Sequence, residues 1–384
     1  MPDRVAHARF RPVRLKEFTM IGQSDIRGTR RTMRIASGPR RSWGFLLLDL
    51  IPELVCGSLL FVGIGLALAW HPSESNQSPA DPQESAAAPA DTDGATQDPI
   101  YDLALMGDGR AAFCTVDRRM WTTDLNHPAA ASSSSRFQQV MRVAASSQTG
   151  RVAVGMQDGT VMIQADRASE PVRLGQHQGF VASMAMDAAG ATVASSAADM
   201  KVRVFDVERI KEVEVIDCGK DICRSLALTD DGRTLVFALE EKILVWDCQS
   251  HTRQATLESS KSAGDLCSLA ISSDNRYVAA GRFEGSVEMW DLKTGELVWV
   301  DAVREGPCLA IEFSTDGRSL FNGTISGRLV ERDARTGERG YVLQAHAGAL
   351  RGIRMIDPST FLTFGYDGQI RRWNSETGTE VVAH

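Results

Sequence analysis

The sequence lacks the common catalytic signatures. Its 384 residues contain no Gly-x-Ser-x-Gly elbow, no Gly-x-x-x-x-Gly-Lys-Ser/Thr loop and no His-Glu-x-x-His motif, so the usual handles for hydrolytic, phosphate-loop and zinc chemistry are missing. Histidine is scarce, and the seven present, at positions 7, 71, 127, 177, 251, 346 and 384, never come together at metal-ligand spacing. No cofactor, no metal and no catalytic residue is therefore expected. Aromatic residues make up only 7% of the chain while glycines number 33, a balance that favours many tight turns.

Long apolar runs are also missing, with one exception. Residues 54–70 run for seventeen positions without a charge, about 25 Å as a helix, and extending the run back through Phe45 to Ile51 brings it to membrane-spanning length. Trp43 and Trp70 flank it as an aromatic belt would. A buried globular helix is the plainer alternative, but everything on either side is polar.

Charge is divided just as sharply. Residues 1–42 carry +8 from eleven Lys/Arg and three Asp/Glu, whereas residues 71–384 carry -13. Residues 71–99 hold five Pro and six acidic residues and no Lys or Arg, the composition of a semi-extended spacer. The expected organisation is a basic tail at 1–42, a transmembrane anchor at 43–70, a Pro/acidic linker at 71–99 and a body at 100–384. The basic flank predicts a single-pass chain in the cell membrane, with the N-terminus cytoplasmic and the body extracytoplasmic. Cleavage near Ala69, which would release a secreted body, and a cytoplasmic body are the alternatives. The tail has no interleaved aromatics, so no nucleic-acid partner is expected.

From residue 100 the chain repeats itself. Turn signals centred on Gly109, Gly150, Gly190, Gly232, Asn275, Gly317 and Pro358 follow one another at 41, 40, 42, 43, 42 and 41 residues. Each turn separates two short apolar-alternating strands. A third strand closes each unit, ending in Thr123-Asp124, Gln164-Ala165, Phe205-Asp206, Trp246-Asp247, Trp290-Asp291, Arg332-Asp333 and Trp373-Asn374. Seven such units of four strands, two ending in Trp-Asp, one in Phe-Asp and one in Trp-Asn, resemble the WD-repeat family. The resemblance implies an all-β fold, a seven-bladed β-propeller of four-stranded antiparallel blades, here preceded by one transmembrane helix. Units two and six have lost the aromatic. The last blade is expected to take its outer strand from Thr379 to His384, so that blade one closes the ring by packing on blade seven.

The family's structural hydrogen-bond network maps onto His177, Ser195 and Asp199 in the third unit, with Phe205 at the Trp position, and onto His346, Thr363, Asp367 and Trp373 in the seventh. These are read as stability groups. Cys223, Cys267 and Cys308 open the first strand of three successive units and are read as small core thiols, too far apart for disulfides. Only Cys218 and Cys223 are close enough in sequence to be considered as a pair.

One stretch permits a second reading. Asp291, Thr294-Gly295 and Trp299 are also similar to the tryptophan-containing repeat of quinone-cofactor dehydrogenases. A Thr-Gly turn between adjacent strands explains the same residues without a cofactor. The expected function is a non-catalytic protein-protein interaction scaffold binding through the channel face of the propeller, with no small-molecule substrate. A quinoprotein-type enzyme or cofactor-binding propeller is the alternative. Phe180, Arg282, Phe283 and Tyr366, in loops at the channel face, are the candidate partner-binding residues.

Overall fold

The computed structural model describes residues 98–107, 109–125, 127–166, 168–259, 265–301 and 306–381. The basic tail, the apolar segment 43–70 and the linker through residue 97 lie outside the described residues. Among the described residues no helix is long and apolar enough to cross a membrane.

Among the described residues twenty-seven strands follow in order, grouped in consecutive antiparallel sheets. Blade 1 comprises β1 (Ile100–Leu105), β2 (Arg110–Thr115), β3 (Arg119–Asp124) and β4 (His127–Gln138). Blade 2 holds β5 (Val140–Ala145), β6 (Val152–Met156), β7 (Thr160–Gln164) and β8 (Val172–Gln176). Blade 3 holds β9 (Val181–Met186), β10 (Thr192–Ala197), β11 (Lys201–Asp206) and β12 (Lys211–Asp217). Blade 4 holds β13 (Ser225–Leu228), β14 (Thr234–Ala238), β15 (Lys242–Asp247) and β16 (Thr252–Glu258). Blade 5 holds β17 (Leu266–Ile271), β18 (Tyr277–Arg282), β19 (Val287–Asp291) and β20 (Leu297–Asp301). Blade 6 holds β21 (Cys308–Phe313), β22 (Ser319–Thr324), β23 (Arg328–Asp333) and β24 (Arg339–Gln344). Blade 7 holds β25 (Leu350–Asp357), β26 (Thr360–Gly365) and β27 (Ile370–Asn374).

The core is a ring of seams. Seven apolar clusters occupy the seven interfaces between neighbouring blades, because each sheet is apolar on both faces. The seam that closes the ring brings Ile100, Leu103, Phe113 and Leu125 of blade 1 against Leu362 and Phe364 of blade 7. Arg372 adds a hydrogen bond to the Leu125 carbonyl at 3.0 Å across the same seam. Closure by blade packing is thus what the structure has.

The outer strand of blade 7 differs from expectation. Among the described residues it is reduced to a single antiparallel bridge pairing Trp373 with Glu380, and residues 382–384 lie outside the described residues. The tie consists of the Asn374 N–H to the Thr379 carbonyl at 2.9 Å and the Val381 N–H to the Arg372 carbonyl at 2.8 Å. Deleting residues 379–384 is expected to cost about 1–3 kcal/mol, the worth of two such bonds. Urea unfolding of the full and shortened chains checks this.

Turn chemistry recurs with the repeat. Between first and second strands, Thr229, Ser272 and Ser314 donate their hydroxyls to Asp231, Asp274 and Asp316 at 2.6, 2.5 and 2.6 Å. Those aspartates in turn accept the N–H of Arg233, Arg276 and Arg318. Between third and fourth strands, Asp291 Oδ1 accepts the N–H groups of Lys293 at 2.9 Å and Thr294 at 3.1 Å, and Gly295 takes φ +73°. Asp333 with Gly337 and Asn374 with Gly378 repeat that turn. Trp299 donates its indole N–H to the Ala334 carbonyl at 2.9 Å, stitching blade 5 to blade 6. The stretch from Asp291 to Trp299 is thus a side-chain-capped turn followed by a seam contact.

Candidate functional site: the channel mouth

Strand pairing puts equivalent positions at equivalent places in every blade. Three residues share one position on the second strand: Ser195 in blade 3, Thr363 in blade 7 and Asn322 in blade 6. In blade 7 a complete relay forms there. Trp373 Nε1 donates to Thr363 Oγ1 at 2.7 Å, the Thr363 hydroxyl faces His346 Nε2 at 2.7 Å, and His346 Nδ1 faces Asp367 Oδ1 at 2.7 Å. Asp367 Oδ2 then accepts the Ala347 N–H at 3.1 Å, so the inter-blade loop is tied to the β26–β27 hairpin. Blade 3 has the same chain without its first link: Ser195 to His177 at 2.9 Å and His177 to Asp199 at 2.9 Å, with the Phe205 ring at the Trp position.

Two blades replace the network with charge. In blade 6, Arg332 stands where the Trp stands; it donates Nε–H to Asn322 Oδ1 at 2.9 Å and pairs with Asp301. In blade 5, Arg282 pairs with Glu288 at 3.1 Å, both side chains 0% exposed, and both reach Ser259. Blade 4 has neither device: Phe237 occupies the Thr363 position, and the Trp246 indole N–H is buried without a partner. Trp246→Phe is therefore expected to cost under about 1 kcal/mol, since no hydrogen bond is lost, whereas Trp373→Phe removes one. Thermal melts of the two variants decide it.

Arg282 corrects an expectation. It is the last residue of β18, not a loop residue, and its side chain turns into the sheet to meet Glu288. It is not presented to a partner. Phe180, Phe283 and Tyr366 are half-buried, at one end of the channel. The residue just after the second strand donates its N–H back across that end: Val116 to Pro99, Gln157 to Gln139, Ala198 to Phe180, Phe283 to Asp265, Ile325 to Pro307 and Tyr366 to Ala349. Six blades thus place Val116, Gln157, Ala198, Phe283, Ile325 and Tyr366 in one ring around the mouth. Ile325 is 49% exposed, the most open of the large apolar side chains there, and sequence reasoning missed it. Its repeat position, shared with Phe283 and Tyr366, is the signal that could have found it.

The channel walls add charge. Tyr101 in β1 packs against Arg142 and Arg351, and the Arg142 guanidinium beside it holds its hydroxyl below the usual phenol range. Deeper in, Glu312 lies 3.9 Å from Arg354, which also approaches Asp102 at 3.7 Å. Burial raises the Glu312 carboxyl to about 7 despite the opposing pull of Arg354. Burial also pushes the Cys218 and Cys248 thiols up to about 12 and Cys308 to about 11, so these remain neutral. All six described cysteines, Cys218 and Cys223 included, are free thiols. Among the described residues no three His, Cys, Asp or Glu side chains gather as a metal-holding group.

The imidazoles make stability depend on pH. Burial lowers the pKa of His177 and His346 against the pull of Asp199 and Asp367. The unfolded chain therefore binds these protons first: the stabilisation is complete above about pH 6.5 and falls as pH drops through the depressed folded values. Glu312 acts in the opposite sense, its contribution present at low pH and lost as pH rises through about 7. Between pH 7 and 5, His177→Gln with His346→Gln is expected to flatten the loss of stability, and Glu312→Gln to steepen it. Denaturant titrations across that range read both slopes.

Comparison with known proteins places these repeats. The model of the WD domain, G-beta repeat (WD40) matches residues 170–206 and 252–291, each spanning an outer strand and the three inner strands that follow. Autophagy-related protein 16 of Arabidopsis thaliana is 23% identical over 198 residues, covering 51% of this chain and 38% of that protein. Protein groucho of Drosophila melanogaster is 30% identical over 151 residues, covering 38% of this chain and 20% of that protein. The chain thus spans well under half the length of either relative. The sevenfold strand register makes the body a seven-bladed β-propeller, and two of its repeats, in residues 170–206 and 252–291, are similar to the WD40 repeat.

Proposed function

We propose that this protein is a non-catalytic scaffold that binds other proteins at the channel mouth and is held at the cell membrane by residues 43–70. The observation that carries the reading is the mouth itself. Blades 5, 6 and 7 place Phe283, Ile325 and Tyr366 at one repeated position, Ile325 exposed and the two rings half-buried, so three neighbouring blades carry apolar groups at the mouth on a rigid frame. Exposed apolar and aromatic groups on a fixed scaffold are what partner hot spots require. Phe283→Ala with Tyr366→Ala is expected to weaken partner capture at least about tenfold with little change in melting temperature. Equal loss of both would mark the two rings as core.

Membrane attachment rests on the uncharged run 54–70 and the basic flank before it. Protease added outside intact cells stripped of outer barriers should digest a propeller of full precursor mass. Protection until lysis would place the propeller in the cytoplasm. A visible or near-ultraviolet cofactor band in the purified body would favour the quinoprotein alternative.

A further inference from the structure

Tyr101 packs against two cations. The Arg142 guanidinium lies 4.5 Å from its ring centre and that of Arg351 lies 4.8 Å away; Arg351 also lies 5.7 Å from the Tyr366 ring. Strands β25, β1 and β5 of three consecutive blades, with Tyr366 just after β26, thus gather two guanidinium groups and two aromatic rings at the mouth end of the channel. Among the described residues neither arginine forms an ion pair with a carboxylate. Arg142 donates Nη1–H to its neighbour's Met141 carbonyl at 2.8 Å, and the Nε–H of Arg351 is buried without any partner.

Against the cost of burial, Tyr101 and Asp102 both favour the charged form of Arg142, but among the described residues no carboxylate reaches it as an ion pair. Asp102 accepts the N–H of Leu103 at 2.9 Å and of Val143 at 3.2 Å, and faces Arg354, as does Glu312. Both arginines lie in a body of net charge -13 over residues 71–384. Ring faces orient a guanidinium but do not neutralise it, and its in-plane N–H groups stay available to an oxyanion. In a channel of restricted solvent such a pair attracts a carboxylate more strongly than exposed arginines would.

We infer that Arg142 and Arg351, oriented by Tyr101 and Tyr366, form a binding site for a carboxylate carried by an acidic segment of a protein partner. This rests on the scaffold reading and names the chemistry the partner presents. The apolar arc of Phe283 and Ile325 on the same mouth serves the residues flanking that carboxylate, which a free anion would leave unused.

A labelled oligoglutamate peptide, its oligoglutamine counterpart and inorganic phosphate, each titrated against the full chain, test the site. Oligoglutamate should bind and oligoglutamine should not. Arg142→Gln with Arg351→Gln should weaken oligoglutamate at least about tenfold, while Arg318→Gln, a change on the exposed surface, leaves it intact. Independently of how that variant folds, bound oligoglutamate should shield Arg351 of the unaltered chain from phenylglyoxal, read by mass spectrometry. Equal binding by the double variant, unshielded Arg351, or phosphate binding without oligoglutamate binding would each overturn the site. Partner capture that survives the double variant, with no oligoglutamate binding, would remove the anion site and leave the scaffold reading standing.

Discussion

Replacing Arg282 with alanine is expected to destabilise the propeller by about 3–5 kcal/mol, because it strands the Glu288 carboxylate in a fully buried position. That is about a fifth or more of the roughly 5–15 kcal/mol stability of an ordinary domain. The effect belongs to the broken pair and not to the arginine alone. Arg282→Met combined with Glu288→Leu should recover most of the loss, since an apolar pair of similar volume carries no desolvation penalty. Urea unfolding of the single and double variants checks both parts. A loss below about 1 kcal/mol for Arg282→Ala would mean that water reaches Glu288 and that the pair is not buried as described.

Thr363→Val is the second large effect. The hydroxyl accepts from Trp373 and faces His346 Nε2, so the isosteric change leaves two buried polar groups unsatisfied. At about 1–3 kcal/mol for each, a loss of about 2–6 kcal/mol is expected. Adding Trp373→Phe to Thr363→Val should cost less than the sum of the two single changes, because the same hydrogen bond would otherwise be counted twice. Strict additivity in the double-mutant cycle would show that the two side chains do not share that bond. Ser195→Ala in blade 3 leaves only His177 short of a partner and should cost about half as much.

The repeat was legible because spacing alone carries it: a turn every 40 to 43 residues and a third strand of fixed length leave little room for another architecture. The His-to-Asp networks were legible for the same reason, since His346, Thr363 and Asp367 keep their repeat positions. Arg282 was misread because Arg-Phe-Glu resembles an exposed loop; the strand extends one residue further than the apolar alternation suggests. The warning was Ala280 at the Ser195 position, which left blade 5 without a polar group there and Glu288 in need of another partner. Blade 6 was legible in principle, with Asn322 and Arg332 at the Thr and Trp positions, but a lost aromatic looks like decay until the new hydrogen bond is seen. The Arg142–Tyr101–Arg351 stack joins residues 41 to 250 positions apart across the ring closure, which no local pattern can reveal.

Partners are expected to meet the mouth and not the rim. A photo-crosslinking residue placed at position 325 on the mouth, and in parallel at Val298 on the exposed outer strand β20, tests it most directly in cells. The mouth position should yield discrete crosslinked partners that disappear when Phe283 and Tyr366 are also changed to alanine, while the rim position yields none of them. The same partners captured from the rim, with none from the mouth, would contradict the claim and move the binding surface to the outer strands.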